Sequence, residues 1–265
     1  MGGQYFYPNK WDINSYFEIV NQLGLDIGKD YMSSSYLNRL MDRKPVIALE
    51  KIISKYKGKK ILVLGAGPSL EADLESLMVN SILENFITVA ADGASYALKK
   101  IAGIDPDFIV TDLDGYPEEE VEMSNNGSVA IVHSHGDNIQ ALTRYVHQLK
   151  SLIGTTQCEP LGKLYNFGGF TDGDRGVHFA NALNPEMIAL VGMDFGEEIG
   201  KFSNASKKDK VRKIIKLKIG KQLLERFAII HAGRLGLYDM TSNSNAITGF
   251  KKIKIDNTIN MIKGR

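Results

Sequence analysis

The stretch "KKILVLGAGPSLEADL", residues 59–74, decides how the rest of the chain is read. Its apolar run from Ile61 to Leu64 ends at Gly65 and Gly67, and a helical pattern follows at once. A short, continuous apolar run of this kind marks a strand buried on both faces. Downstream the same signature recurs in "FITVAADG" (86–93), "DFIVTDLDG" (107–115), "SVAIVHSHGD" (128–137) and "MIALVGMDFG" (187–196), with helical segments between. The pattern predicts an α/β fold: a Rossmann-like, mostly parallel sheet with flanking helices. Each run delivers its polar residues at its C-terminal end, the edge where open α/β sheets bind ligands. Upstream, "INSYFEIVNQLGL", "SSYLNRLMDR" and "PVIALEKIISKY" have helical periodicity and little strand character. Residues 1–58 are therefore expected to form a small helical N-terminal region, and 59–265 the α/β catalytic domain.

A chain of 265 residues with 43% hydrophobic content can bury a sizeable core. The single cysteine, Cys158, excludes an intramolecular disulfide or a multi-cysteine metal cage and points to a reducing, cytoplasmic setting. The opening "MGGQYFYPNK" has no apolar run, and no segment approaches the ~20 apolar residues that span a bilayer, so neither export nor a membrane is expected. The net charge of +1 conceals an asymmetry, because residues 207–221, "KKDKVRKIIKLKIGK", hold eight basic residues against one acid. Val211, Ile214, Ile215, Ile219 and Leu223 recur there at helical spacing, so the segment predicts an amphipathic helix carrying the lysines. Its cations either form a solvated face or reach a polyphosphate; no aromatic residue interleaves them, which disfavours nucleic acid.

At the first strand exit, Gly65 and Gly67 let backbone amides approach an anion, with Ser69 as N-cap of the following helix. A dinucleotide fingerprint would place a third glycine where Leu70 stands, Asp92 comes late for a ribose contact, and Glu71, Asp73 and Glu75 would repel a phosphate. A GxxxxGK[ST] loop is absent from the sequence, which excludes a P-loop kinase.

The third exit carries Asp112 and Asp114. In an extended strand both point to one face, and two adjacent carboxylates repel unless a cation lies between them. A hard cation such as Mg²⁺, held by one or two carboxylates plus water and phosphates, is one reading; a simple Asp-Gly turn is the other. At the fourth exit, "IVHSHGDNIQALTRYV" supplies His133, His135, Asp137 and Asn138. These suit either a helix start or a zinc- or iron-dependent hydrolase, for which His231 is the remaining partner, His178 and His147 lying in helical segments. The loop "LYNFGGFTDGDRGVHFANAL" brings Asp172, Asp174 and Arg175 among glycines, either to approach a flat ligand with Arg175 forked onto phosphate or as a mere turn. "TSNS", residues 241–244, suits a polar heterocycle or ribose, with the same plain alternative.

Taken in order, "VAADGA", "PDFIVTDLDG", "HGDN", "GGFTDGDR" and "TSNS" resemble the archaeal 6-hydroxymethyl-7,8-dihydropterin pyrophosphokinases and, more distantly, the thiamine pyrophosphokinases. The resemblance covers residues 60 to about 250. Thiamine enzymes carry a motif like "ADGGA…PD…GDFDS" whose aspartates bind magnesium; the matching positions are Asp92, Asp112 and Asp114, with Asp137 at the next acidic motif. Their "GGRxDH" loop is matched only loosely by "GGFTDGDR", and the stretch after residue 230 is expected to be too short for their C-terminal β-sandwich, which favours the pterin enzyme.

The resemblance implies Mg²⁺-dependent transfer of diphosphate from ATP to the hydroxymethyl group of a dihydropterin, releasing AMP, by in-line attack of the alcohol on the β-phosphorus. It further implies Asp114, Asp137 and Arg175 as catalytic, and Gly65, Gly67, Pro68, Ser69, Asp92 and Gly93 on the nucleotide. Asn166, Asp172 and Asp174 fall to the substrate, and Asp92, Asp112 and Asp114 to the metal. The partners are small molecules, with no nucleic acid or membrane, and a homodimer stays open. Because bacterial proteins with a related domain act in surface glycosylation, nucleotide-sugar binding is a further alternative.

Overall fold

The computed structural model of the chain describes residues 13–44, 47–203, 210–242 and 245–263. Eight parallel strands form one sheet in the order β5-β4-β3-β2-β1-β6-β7-β8. The opening stretch lies at its heart: β1 (Lys60–Leu64) pairs with β2 (Ile87–Ala91) on one side and β6 (Met187–Val191) on the other. Beyond β2 come β3 (Phe108–Thr111), β4 (Val129–Ser134) and β5 (Leu152–Thr156); beyond β6 come β7 (Gly236–Asp239) and the two-residue β8 (Lys251–Lys252). The chain reverses its direction of growth between β1 and β6, so a crevice opens above those two strand ends.

Why the runs are apolar throughout follows from the packing. Ile61 and Val63 of β1 enter one core while Leu62 and Leu64 enter the other, as the alternation of a strand requires. One core is covered by α3 (Leu49–Tyr56), α8 (Asp172–Ala182) and α9 (Lys210–Ile230), the other by α4 (Leu70–Val79) and α5 (Asp92–Ala102). The helical front, α1 (Ile13–Leu23), α2 (Ile27–Met41) and α3, is built into this frame. Leu37 and Met41 of α2 pack with Ala130, Val132 and Leu152, and the Tyr56 ring meets Phe108 edge-on at 5.0 Å.

The charged segment is helical from Lys210 onward, and Ile215, Ile219 and Leu223 pack on Ile19 and Leu23 of α1. Val211 is 71% exposed and takes no part in that seam. Lys207 and Lys208 lie outside the described residues. None of the helices among the described residues is long and apolar enough to cross a membrane.

Candidate active site

A cleft of about 730 Å³ runs along the C-terminal edge of the sheet. At its centre the exit of β3 does not continue as a strand. Leu113 takes a left-handed conformation (φ 65°), and its N–H bonds the Thr111 hydroxyl at 2.8 Å. Asp112 and Asp114 are thus brought to the same place by a tight turn whose leucine is buried, and not by the alternation of an extended strand. Gly115 completes the turn: a Cβ there would lie 2.2 Å from Asp92 Oδ1, so glycine lets the β2 exit close against the β3 exit.

Asp92, Asp112, Asp114 and Asp172 all line this cleft, and their protonation reflects the crowding. Desolvation and repulsion from Asp112 push Asp114 up to about 8, although its side chain remains open to solvent on one side. Burial and the same neighbour raise Asp92 to about 6. Burial opposes the charged form of Asp112 too, yet the bond from His135 Nε2 (3.0 Å) prevails and holds it at about 2. Burial, then the charge of Asp92, drives the enclosed Glu120 well above the ordinary range; its Oε2 accepts the Thr111 hydroxyl at 2.8 Å. Burial raises Asp172 in the same way. Glu120 thereby supports Asp92 from below, a role no local pattern in "PEEEVE" announces.

Two oxygens in this cluster, Asp92 Oδ1 and Asp112 Oδ1, are buried without a hydrogen-bond partner among the described residues. Unpartnered carboxylate oxygens are hard donors, the kind that Mg²⁺ or Ca²⁺ prefers. Among the described residues no three such side chains form a ready-made cage. A cation held here would keep positions for water and for ligand oxygens.

Facing the carboxylates, α9 presents Arg212, Lys213 and Lys216 to the cleft. Lys213 bonds the Ser203 hydroxyl, and Lys216 sits 6.0 Å from the centre of the Phe170 ring. Burial lowers the pKa of Lys213 despite the favourable charges of Asp92, Asp114 and Asp172. The basic segment therefore does reach the site, through cations three and four residues apart on one helical face.

At the β1 exit the lining is almost bare backbone, while the β6 exit adds the side chains of Met193, Asp194 and Phe195 beside Gly192. Gly65 N–H bonds Val191 O and Gly67 N–H bonds Gly192 O, each at 2.9 Å. Gly65, Gly67 and Pro68 line the cleft, as does Gly93 at the β2 exit. Ser69 is not a side-chain cap; its hydroxyl bonds Asp194 Oδ2 at 2.9 Å and Asp73 Oδ2 at 3.2 Å, fastening α4 to the β6 exit.

The Gly-rich loop differs most from expectation. Asp172 does reach the cleft, but Asp174 is wholly buried, accepts from Phe170 N and Thr171 N, and caps α8. Asn166 braces the loop through Cys158 O and Gly168 N. Arg175 is 2% exposed and donates to Phe170 O at 3.0 Å, so its guanidinium is turned to the loop backbone and not to the cleft; it lies beneath the floor as a counter-charge to Asp172, Asp174 and Asp112. A short polar residue in a glycine loop has the same appearance in sequence whether it caps a helix or meets a ligand.

The histidines do not converge on one centre. His133 Nδ1 meets Thr155 Oγ1 at 3.2 Å, His135 turns its Nε2 to Asp112, and the two ring centres are 6.1 Å apart. His178 and His231 both pack on Phe227 instead. Asn138 ties the β3 and β4 exits together, donating to Asp112 O (3.0 Å) and His133 O (2.7 Å). Asp137 stands exposed at the mouth.

A doubly wound parallel sheet with acidic strand exits, glycine-lined exits at the switch point and a cationic helix across the cleft defines an α/β protein of the phosphate-handling class. Residues 37–200 match the family described as 6-hydroxymethylpterin diphosphokinase MptE-like. The protein named 6-hydroxymethyl-7,8-dihydropterin pyrophosphokinase in Methanothermobacter thermautotrophicus is 42% identical over 188 residues, 71% of this chain and 79% of its own length. Its namesake in Methanocaldococcus jannaschii is 35% identical over 226 residues, 81% of this chain and 93% of its own. The chain belongs to the MptE-like 6-hydroxymethylpterin diphosphokinase family. The MAf glycosyltransferase of Magnetospirillum magneticum AMB-1 shares the fold alone, with a TM-score of 0.58 at 13% identity over 86% of this chain and 38% of that one.

Proposed function

We propose that this protein is an ATP-dependent pyrophosphokinase that transfers diphosphate to the hydroxymethyl group of 6-hydroxymethyl-7,8-dihydropterin and releases AMP. The observation that carries the reading is the juxtaposition of Asp92, Asp112, Asp114 and Asp172 with Arg212, Lys213 and Lys216 across one cleft. The names of the family and its relatives supply the acceptor.

Mg²⁺ fits the unpartnered oxygens of Asp92 and Asp112 together with Asp114, where it would neutralise the phosphate oxygens. The chain's own residues do the rest. His135 orients Asp112 through its Nε2, and Glu120 fixes Asp92 from behind. Lys213 and Lys216 offset the charge that the nucleotide brings toward an acidic floor. The glycines of the β1 exit leave room for the nucleotide, and Asp137 at the mouth takes the proton of the attacking hydroxyl. Positioning and charge neutralisation account for most of such a transfer. The buried, unpaired Cys158 goes with a cytoplasmic setting.

The test is to incubate the protein with ATP, Mg²⁺ and 6-hydroxymethyl-7,8-dihydropterin and identify the nucleotide released. AMP in step with a diphosphorylated pterin is expected, abolished by EDTA. ADP, or an untouched ATP pool, would overturn the reading.

A further inference from the structure

Beyond the carboxylates the cleft continues to the exits of β4 and β5, and its lining changes character. There the wall is the turn between α1 and α2, which contributes Leu25, and the first turn of α2, which contributes Lys29 and Asp30. Asp30 is 4% exposed and fully engaged, accepting from Tyr16 Oη (2.6 Å), Gln157 Nε2 (2.7 Å) and Gly136 N (2.7 Å).

A carboxylate of this kind only accepts, so it fixes which way the Gln157 amide is turned: the NH₂ toward Asp30, the carbonyl oxygen away from it. Gln157 is itself 4% exposed and lines the cleft. Beside it His133, 3% exposed and also lining the cleft, has its Nδ1 engaged by Thr155 while its Nε2 is buried and makes no well-formed hydrogen bond among the described residues, the Gln157 side chain being its polar neighbour. Two oriented, buried polar groups at one end of a cleft, one of them unsatisfied, are the mark of a site that completes its hydrogen bonds with a ligand.

We propose that this end of the cleft seats a 2-amino-4-oxopyrimidine ring, the polar ring of a pterin, read by Gln157 and His133 with Asp30 as a positioning residue, while the nucleotide takes the opposite, glycine-lined end. The edge of that ring carries N–H donors beside a carbonyl acceptor. Gln157 Oε1 accepts one N–H, and the His133 ring nitrogen meets the neighbouring position. Leu25 and Phe170, both in the lining, supply apolar surface for a flat ring. The route from this seat to the reacting groups is short, since His135 lies between His133 and Asp112. The proposal rests on the pyrophosphokinase reading for its acceptor, and it assigns each substrate to its side of the aspartates.

Guanine presents the same edge, so the test separates the two sources. Binding of 6-hydroxymethylpterin is followed by its own fluorescence in the full-length protein, and binding of α,β-methylene-ATP by calorimetry. Gln157→Met should weaken pterin binding roughly tenfold or more, since a site built for a hydrogen bond rejects its loss, and leave the ATP analogue within about twofold. Asp30→Asn, whose amide can donate as well as accept and so releases the Gln157 amide, should raise KM for the dihydropterin with kcat retained.

A measurement on the unaltered protein stands beside these in case a variant does not fold. The 2,4-dioxo analogue 6-hydroxymethyllumazine, which lacks the amino group, should bind roughly tenfold more weakly than the pterin, and GMP should not displace the pterin. Equal binding of pterin and lumazine, or displacement by GMP at the pterin's own affinity, would overturn the proposal. So would a Gln157→Met protein that loses the ATP analogue and keeps the pterin. Absence of AMP formation alongside intact pterin binding would instead sink the pyrophosphokinase reading and leave this seat standing.

Discussion

The two halves of the sheet edge solve different problems with the same topology. At the β2 and β3 exits the chain places side chains: Asp92, Asp112 and Asp114, crowded until two of them hold protons to about 6 and about 8. At the β1 exit, and at Gly192 of the β6 exit, it removes them. A Cβ on Gly67 would lie 1.9 Å from Asp194 Oδ2 and 2.5 Å from Gly192 O, and one on Gly192 would lie 2.2 Å from Gly65 O. The acidic half concentrates charge that only a cation or a proton can relieve; in the glycine half the carboxylate at the β6 exit, Asp194, is held by the Ser69 hydroxyl, and the β1 exit offers backbone that a large ligand can approach closely. One half is suited to reacting phosphates and the other to whatever carries them.

If the halves divide chemistry from binding in this way, substitutions should separate them. The largest effect is expected from Asp112→Asn, which keeps the shape of the β3 exit and removes the charge His135 addresses. The rate should fall by about a hundredfold or more, with thermal stability near that of the parent. A rate within a few-fold of the parent would dissolve the distinction from the acidic side. Next, Gly67→Ala forces apart two exits that touch backbone to backbone, so KM for ATP should rise by about an order of magnitude or more and Tm should drop by several degrees, about 1–3 kcal/mol of overpacking. An unchanged KM for ATP in that variant would mean the nucleotide lies elsewhere.

The smallest effect concerns the helix that spans both halves. Replacing Lys213 and Lys216 together with Ser should raise KM for ATP about threefold to tenfold at low salt, and the difference should shrink as ionic strength rises. A salt-independent change, or none, would return α9 to a purely structural part.

What could be read from the sequence divides along the same line. The five long apolar runs announced five strands, and the aspartates after them stood out by position, although sequence alone left a metal site and a plain Asp-Gly turn equally open. The strand Leu152–Thr156 was missed, since only its first two residues are large and apolar before Gly154 and two threonines; β7, with only Leu237 and Tyr238 between Gly236 and Asp239, and the two-residue β8 are too short to leave a signal. That Asp174 would cap α8 and Asn166 brace the loop was not legible, because capping and ligand binding draw on the same residue types. The burial of Arg175 was not legible either, because nothing local says that a guanidinium will lie under the floor. The cationic wall was half legible: the basic segment 207–221 stood out, but nothing in it said that, among the described residues, Arg212, Lys213 and Lys216 would line the cleft. Which face of a helix meets a site is decided by packing, here of Ile215, Ile219 and Leu223 on α1. Asp30 and Gln157 are 127 residues apart in sequence and acquire their meaning only through the tertiary contact. Both the Asp30 turn and α9 lie outside the 37–200 span of the family match.

The central claim is that the strand-end aspartates hold a divalent cation against the phosphates. Mn²⁺, a paramagnetic stand-in for Mg²⁺, can be counted directly by electron paramagnetic resonance in the presence of α,β-methylene-ATP, whose α–β bridge blocks the transfer. The parent protein should bind Mn²⁺ stoichiometrically and only together with the nucleotide, and Asp112→Asn and Asp114→Asn should each lose that binding while remaining folded. Undiminished Mn²⁺ binding in both variants would contradict it.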